Sequence, residues 1–229
     1  MRGVRREYFL TISVILPPLI ECEIALGDTA ISHNTWIHRI VGVGVRPLAN
    51  TPVTPNQVTT LRLVTGLAAA ASFAVGENQW DYIGSSLFAV SVLLDRADGI
   101  LARISGKTSR SGHLYDLISD GLCTSAVFVG IGYGIRESAL GAWGVPLGIV
   151  AGLAVAAILW LVLRAEGQEG ERAAELKGAA GFDPDDAILL VPVFILFDAH
   201  VPLIVAAAIG ASCFALYFFW KFRRHLERK

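Results

Sequence analysis

A chain of 229 residues that is 54% hydrophobic and carries 23 glycines is too apolar for an ordinary soluble enzyme, and its 17% of charged residues falls well below the roughly 25% of soluble domains. That balance excludes a collagenous, coiled-coil or disordered chain and offers no basic surface to nucleic acid. The net charge of −1 conceals an uneven distribution along the sequence, and Cys22, Cys123 and Cys213 are too dispersed for a disulfide framework or a structural zinc site. The chain reads as all-α, polytopic and membrane-embedded.

Residues 1–32 fit no regular element. The basic start MRGVRR and the apolar run 9–20 imitate a signal peptide, but Pro17-Pro18 interrupts the run and Glu21 and Glu23 follow at once. Glu21 also stands where a lipoprotein site ahead of Cys22 needs a small residue, so the simplest reading is a surface-lying or disordered tail. The segment 33–50 differs. Trp36, Ile37, Ile40, Val41, Val45 and Leu48 can line one face, with His38, Arg39 and Arg46 elsewhere, which predicts an N-terminal interfacial helix. Pro47, Pro52 and Pro55 separate it from the first span.

A membrane span needs about 20 mostly apolar residues, and that ruler predicts six transmembrane helices, near 57–75, 82–103, 112–135, 143–163, 185–197 and 201–220. The fifth is short, carries Pro192 and is closed by Asp198. Nearly all of the 19 basic residues fall before span one, between spans two and three, between four and five, and after six, with Arg62 inside span one and Arg136 on the other side. Lys and Arg favour the cytoplasmic side, so both ends of the bundle are expected in the cytoplasm, within a bacterial-type inner membrane. Trp80 and Trp143 at the outer ends, and Trp36 and Trp220 at the inner ones, read as interfacial anchors. The polar stretch between spans four and five, which ends in GFDPDDA, reads as a solvated helix and loop. Residues 33–229 thus form one membrane domain behind the tail.

Spans two and three hold LLDRADGILARISGKTSRSGHLYDLISDGL. Aspartates inside a bilayer each cost several kcal/mol, so something must compensate them. On a helix, Asp95, Asp98, Gly99 and Ala102 fall at i, i+3, i+4 and i+7, and Gly112, Asp116 and Asp120 at i, i+4 and i+8, so each helix gathers its carboxylates and smallest residues on one face. A turn over 104–111 would set the two faces together. Four converging carboxylates require protonation or cations among them. With no His or Cys at hand, hard oxygen ligands select Mg²⁺, Mn²⁺ or Ca²⁺, and two such ions form the usual clamp for in-line phosphoryl chemistry. Gly99, Ala102 and Gly112 clear room for a ligand, and Arg103 supplies a planar donor for phosphate.

The string Asp95-x2-Asp98-Gly99-x2-Ala102-Arg103-x8-Gly112-x3-Asp116-x3-Asp120 resembles, at all eight positions over 26 residues, the signature of the CDP-alcohol phosphotransferase family. Pro55-Asn56-x2-Thr59 is similar to the opening that many members show at their first span. The resemblance covers about 39–220. It implies an enzyme in which an acceptor hydroxyl attacks the β-phosphorus of a CDP-linked donor and CMP leaves, in phospholipid biosynthesis. It further implies that Asp95, Asp98 and Asp116 bind a pair of divalent ions, Mg²⁺ or Mn²⁺, with Asp120 bordering the metals and acting as general base. Gly99, Ala102 and Gly112, with Asn56 and Thr59, would receive the CDP donor, and Arg103 would support its phosphates. CDP-diacylglycerol is the expected donor; a CDP-alcohol donor with a lipid acceptor is the alternative.

Two other classes place aspartates in membranes. Intramembrane prenyltransferases hold diphosphates on widely separated helices, whereas only 17 residues lie between Asp98 and Asp116, and a cation or proton transporter has no need of Gly99, Ala102, Arg103 and Gly112 at fixed offsets. His113 adjoins the signature and reads as an interfacial hydrogen-bonding residue. Gly130, Gly134, Gly148 and Gly152 form two small-xxx-small pairs, for intramolecular packing by default and for a homodimer as the functional reading. Spans five and six have no basic residue before Lys221, and Asp183, Asp185 and Asp186 stand at their approach. This leans toward an acceptor without its own phosphate, against which Arg110, Arg164, Arg172 and Lys177 would count if they reach the cavity.

Overall fold

The computed structural model describes residues 36–169 and 188–226. The tail, Asp183, Asp185, Asp186, Arg172 and Lys177 lie outside the described residues, which are all-helical with no strand among them. α1 (Trp36–Val45) runs into a short 3₁₀ turn (Arg46–Asn50) and is followed by α2 (Pro55–Val75), α3 (Asn78–Ser105) and α4 (Arg110–Gly134). Two further 3₁₀ turns lead to α5 (Gly144–Glu169), and α6 (Leu190–Leu196) and α7 (His200–Leu226) complete the chain.

Local chemistry fixes these boundaries. α2 starts with Pro55 in its first turn, where the missing N–H costs nothing, and the Thr54 backbone N–H donates to Gln57 Oε1 at 2.9 Å. Gly76 and Gly106 end α2 and α3 at φ 78° and 66°, the left-handed region open to glycine. Ser109 Oγ then accepts from the Gly112 amide at 3.0 Å and starts α4. The predicted hairpin turn therefore narrows to 106–109.

Among the described residues four helices, α2, α4, α5 and α7, are long and apolar enough to cross a membrane, where the sequence predicts six spans. The two others differ for opposite reasons. α3 has 28 residues, ample length, but spends its apolarity on Asp81, Asp95, Arg96, Asp98 and Arg103. α6 has seven residues, about 10 Å of helix against a hydrocarbon core of about 30 Å, and stops at Asp198, whose φ of 56° is itself left-handed. It lies against α3.

The core runs through the middle of the bundle, where Phe73 of α2, Phe88 of α3, Phe128 and Ile131 of α4, Ala151 of α5 and Ile204 of α7 are buried together. α4 is the central element, packed on both α2 and α5. Its glycines permit the approach: a Cβ at Gly130 would run into the Ala70 carbonyl, and one at Gly134 into that of Phe73. Gly148 and Gly152 of α5 likewise abut the backbone at Phe128 and Ser125. Both small-xxx-small pairs are thus used inside the chain, and a homodimer would have to form on another face. A smaller cluster of Val45, Val58 and Leu101, with Val41 against it, fixes α1 to α2 and α3. Trp80, Trp143 and Trp220 are exposed rather than core residues, as interfacial anchoring requires.

Candidate active site

α2, α3 and α4 meet at the end of the bundle that carries the 106–109 turn, and there they enclose one cavity of about 1220 Å³. All the residues that the family resemblance assigns to the site line it, Asn56 and Thr59 from α2, Asp95, Asp98, Gly99, Ala102 and Arg103 from α3, and Gly112, Asp116 and Asp120 from α4, whereas Arg164 is not among the lining residues. The cavity continues between α5, α6 and α7, where its wall turns apolar with Ile158, Phe194, Phe214 and Phe218. His113, Lys107 and Arg110 line its polar mouth.

The helical registers deliver what the spacing predicts. One carboxylate oxygen from each of Asp95, Asp98 and Asp116 lies within 4.8 Å of the others. This all-oxygen donor set, from two facing helices, fits a hard divalent cation. Asp120 stands apart from that group, one turn deeper in sequence on α4 and 59% exposed in its side chain.

Part of the charge that the aspartates require comes from the protein itself. Arg62, only 4% exposed, projects from α2 into the cluster, with Nη1 at 2.9 Å from Asp95 Oδ1 and 3.0 Å from Asp116 Oδ1, and Nη2 at 2.5 Å from Asp120 Oδ1. Ser91 Oγ donates to the Arg62 carbonyl at 2.9 Å and ties α2 to α3 at this level. On α3 itself, buried Arg96 reaches Asp95 Oδ2 with Nη1 at 3.3 Å. The signal for Arg62 was in the sequence: an arginine inside an apolar span is costly unless it meets carboxylates.

Thr59 borders the cavity and also meets a carboxylate. Its hydroxyl donates to Asp98 Oδ2 at 2.6 Å in a fully buried pair, so it positions a carboxylate. Asn56 remains exposed at the mouth, and a Cβ at Gly112 would meet Ser109 Oγ at 2.9 Å and Asn56 Oδ1 at 3.1 Å, so a larger residue there would have to displace both side chains. Around Gly99 the space is open apart from Arg103, whose Nε donates to the Gly99 carbonyl at 3.1 Å. The arrangement can hold divalent ions at its centre, a phosphorylated group over Gly99 and Arg103, and an apolar chain along α5 to α7.

A family model described as CDP-alcohol phosphatidyltransferase matches residues 52–216. The archaetidylinositol phosphate synthase of Pyrococcus horikoshii is 35% identical over 89 residues, which make up 39% of this chain and 46% of that protein, so the match spans less than half the relative's length. Among solved structures, the phosphatidylinositol phosphate synthase of Mycobacterium tuberculosis with CDP-DAG bound superposes with a TM-score of 0.58 at 24% identity, over 80% of this chain and 94% of that one. The same synthase in complex with manganese and citrate gives a TM-score of 0.58 at 22% identity, over 79% and 88% of the two chains. These two structures share the fold.

Proposed function

The chain belongs to the CDP-alcohol phosphatidyltransferase family, and from that premise we propose that it is an integral-membrane phosphotransferase. It moves a phosphatidyl-type group from a CDP-linked lipid, of the CDP-diacylglycerol class, to an acceptor hydroxyl and releases CMP. The observation that carries this reading is the joining of three clustered carboxylates and an apolar helical wall in one cavity. A diphosphate can lie at the first while lipid chains follow the second.

Asp95, Asp98 and Asp116, with Asp120 at their edge, would hold a pair of Mg²⁺ or Mn²⁺ ions, which neutralise the diphosphate and polarise the β-phosphorus. Gly99, Ala102 and Gly112 leave the helix surfaces bare for the cytidine nucleotide, with Asn56 at the mouth and Arg103 facing the phosphates. Asp120 accepts the proton of the acceptor hydroxyl as its oxygen bonds to the β-phosphorus and the bond to the CMP oxygen breaks. The exposure of Asp120, outside the three-carboxylate group, suits a residue that meets the acceptor.

For the acceptor, a phosphorylated polyol of the inositol-phosphate class is favoured. The relatives bear the names of synthases of inositol phosphate lipids, and Lys107 and Arg110 join Arg103 around the polar mouth. The expectation of an unphosphorylated acceptor rested on spans five and six, but the cations at the mouth come instead from the end of α3, the turn after it and the start of α4. Residues 33–229 act as the membrane domain, α2 to α7 crossing as six segments, with α6 a short one sheltered against α3. α1 lies in the interface, and the 106–109 turn and both ends of the bundle face the cytoplasm, where CDP-linked donors occur.

The test is purified protein given labelled CDP-diacylglycerol and Mn²⁺ with a panel of inositol phosphate, glycerol phosphate, serine, choline and free polyols. Turnover is expected with a phosphorylated acceptor. Turnover only with unphosphorylated ones overturns the acceptor assignment, and turnover with none moves the assignment to a CDP-alcohol donor with a lipid acceptor.

A further inference from the structure

Arg62 is bonded to two of the three carboxylates that could ligate a metal ion. Its Nη1 alone bridges Asp95 Oδ1 on α3 and Asp116 Oδ1 on α4, and both residues belong to the group whose ligand atoms lie within 4.8 Å of one another. Nη2 takes Asp120 Oδ1 as well. A guanidinium supplies planar, permanent charge suited to several carboxylates at once, but a dication within about 4 Å of it is strongly repelled at the low dielectric of a buried site.

We propose that Arg62 is a built-in competitor of the divalent ions, a counter-charge that keeps Asp95, Asp116 and Asp120 converged when no metal is bound and must give up its hold on Asp95 and Asp116 for a metal to load. The inference rests on the proposed metal-assisted reading and extends it to what sets metal affinity. Without Arg62 the only cation bonded to these three carboxylates among the described contacts would be Arg96 on Asp95, and Asp95 of α3 would repel Asp116 and Asp120 of α4. Arg62 prevents this at the cost of weaker metal binding. The Ser91 hydrogen bond anchors the Arg62 backbone carbonyl, not the guanidinium, and the side chain borders the cavity.

The opposite role, in which Arg62 merely aligns the carboxylates for the metal, predicts the opposite sign on its removal. The experiment is Mn²⁺ binding, followed by electron paramagnetic resonance of the free ion, to the full chain in lipid nanodiscs. It is paired with thermal melts in EDTA and in saturating Mn²⁺. Arg62→Met is expected to bind Mn²⁺ about tenfold tighter than wild type, to melt lower in EDTA, and to recover most of that difference in Mn²⁺. Equal or weaker Mn²⁺ binding by Arg62→Met overturns the proposal. If Arg62→Met does not fold even with Mn²⁺, Arg62→Lys decides, since it keeps a charge but loses the fork across two helices: tighter binding supports competition, and equal or weaker binding overturns it. A wild-type protein that binds no Mn²⁺ overturns the metal-assisted reading itself, whereas binding in wild type with weaker binding in the variants leaves that reading standing and removes only the competitor.

Discussion

Thr59→Val removes one hydroxyl and leaves the shape of the side chain almost unchanged. The lost interaction is the 2.6 Å hydrogen bond to Asp98 Oδ2, between residues 2% and 3% exposed. Hydrogen bonds to a charged group contribute about 1.5–3 kcal/mol, and a tenfold change in an equilibrium constant corresponds to about 1.4 kcal/mol. If that bond serves to aim Asp98 at a metal, its loss weakens metal affinity by roughly 10- to 100-fold, the usual penalty for removing an outer partner of a metal ligand. The assay is CMP release as a function of Mn²⁺ concentration, with Thr59→Ser as the variant that restores the hydroxyl. We expect the half-saturating Mn²⁺ concentration to rise by that factor in Thr59→Val, with most of the turnover recovered at saturating metal and near-normal behaviour in Thr59→Ser. An unchanged Mn²⁺ dependence would refute the positioning role. A loss that no concentration of Mn²⁺ recovers would instead return Thr59 to the donor-binding role expected from sequence.

Asp98→Asn and Asp116→Asn should each lose both metal binding and turnover, whereas Asp120→Asn should lose turnover by two or more orders of magnitude while sparing donor binding; equal loss of donor binding in all three would make Asp120 another ligand. Gly134→Ala places a methyl group against the Phe73 backbone carbonyl and should destabilise the protein by about 1–3 kcal/mol in a thermal melt, while Gly44→Ala, with nothing within 4 Å of the new carbon, should be neutral or slightly stabilising. In a background without native cysteines, Lys107→Cys and Glu137→Cys should label from opposite faces of the membrane, and labelling from one side would overturn the topology.

The site was legible in sequence wherever the information is local. Asp95, Asp98 and Gly99 share a helix face by their spacing alone, as do Gly112, Asp116 and Asp120, and a short glycine turn leaves α3 and α4 little choice but to face each other. Arg62 was harder to read because its partners lie 33 to 58 positions away, and an arginine in a span states that it needs carboxylates without stating which. Thr59 likewise showed that it belongs to the site but not that its hydroxyl meets Asp98. The second and fifth spans expected from hydrophobic counting are the two that the described helices do not show as long and apolar: α3 is long yet charged, and α6 is apolar yet only seven residues. The glycines of α4 and α5 signalled close packing, but which backbone they meet depends on the order in which the helices stack.

The central claim, that the aspartate cluster acts on a CDP-linked lipid through divalent ions, is tested most directly by CMP release from CDP-diacylglycerol in Mn²⁺ and in excess EDTA, with inositol phosphate present and Asp98→Asn as control. The account predicts CMP release by the wild-type protein in Mn²⁺, none in EDTA, and none from Asp98→Asn in either. Full release in EDTA, or undiminished release by Asp98→Asn, would contradict it.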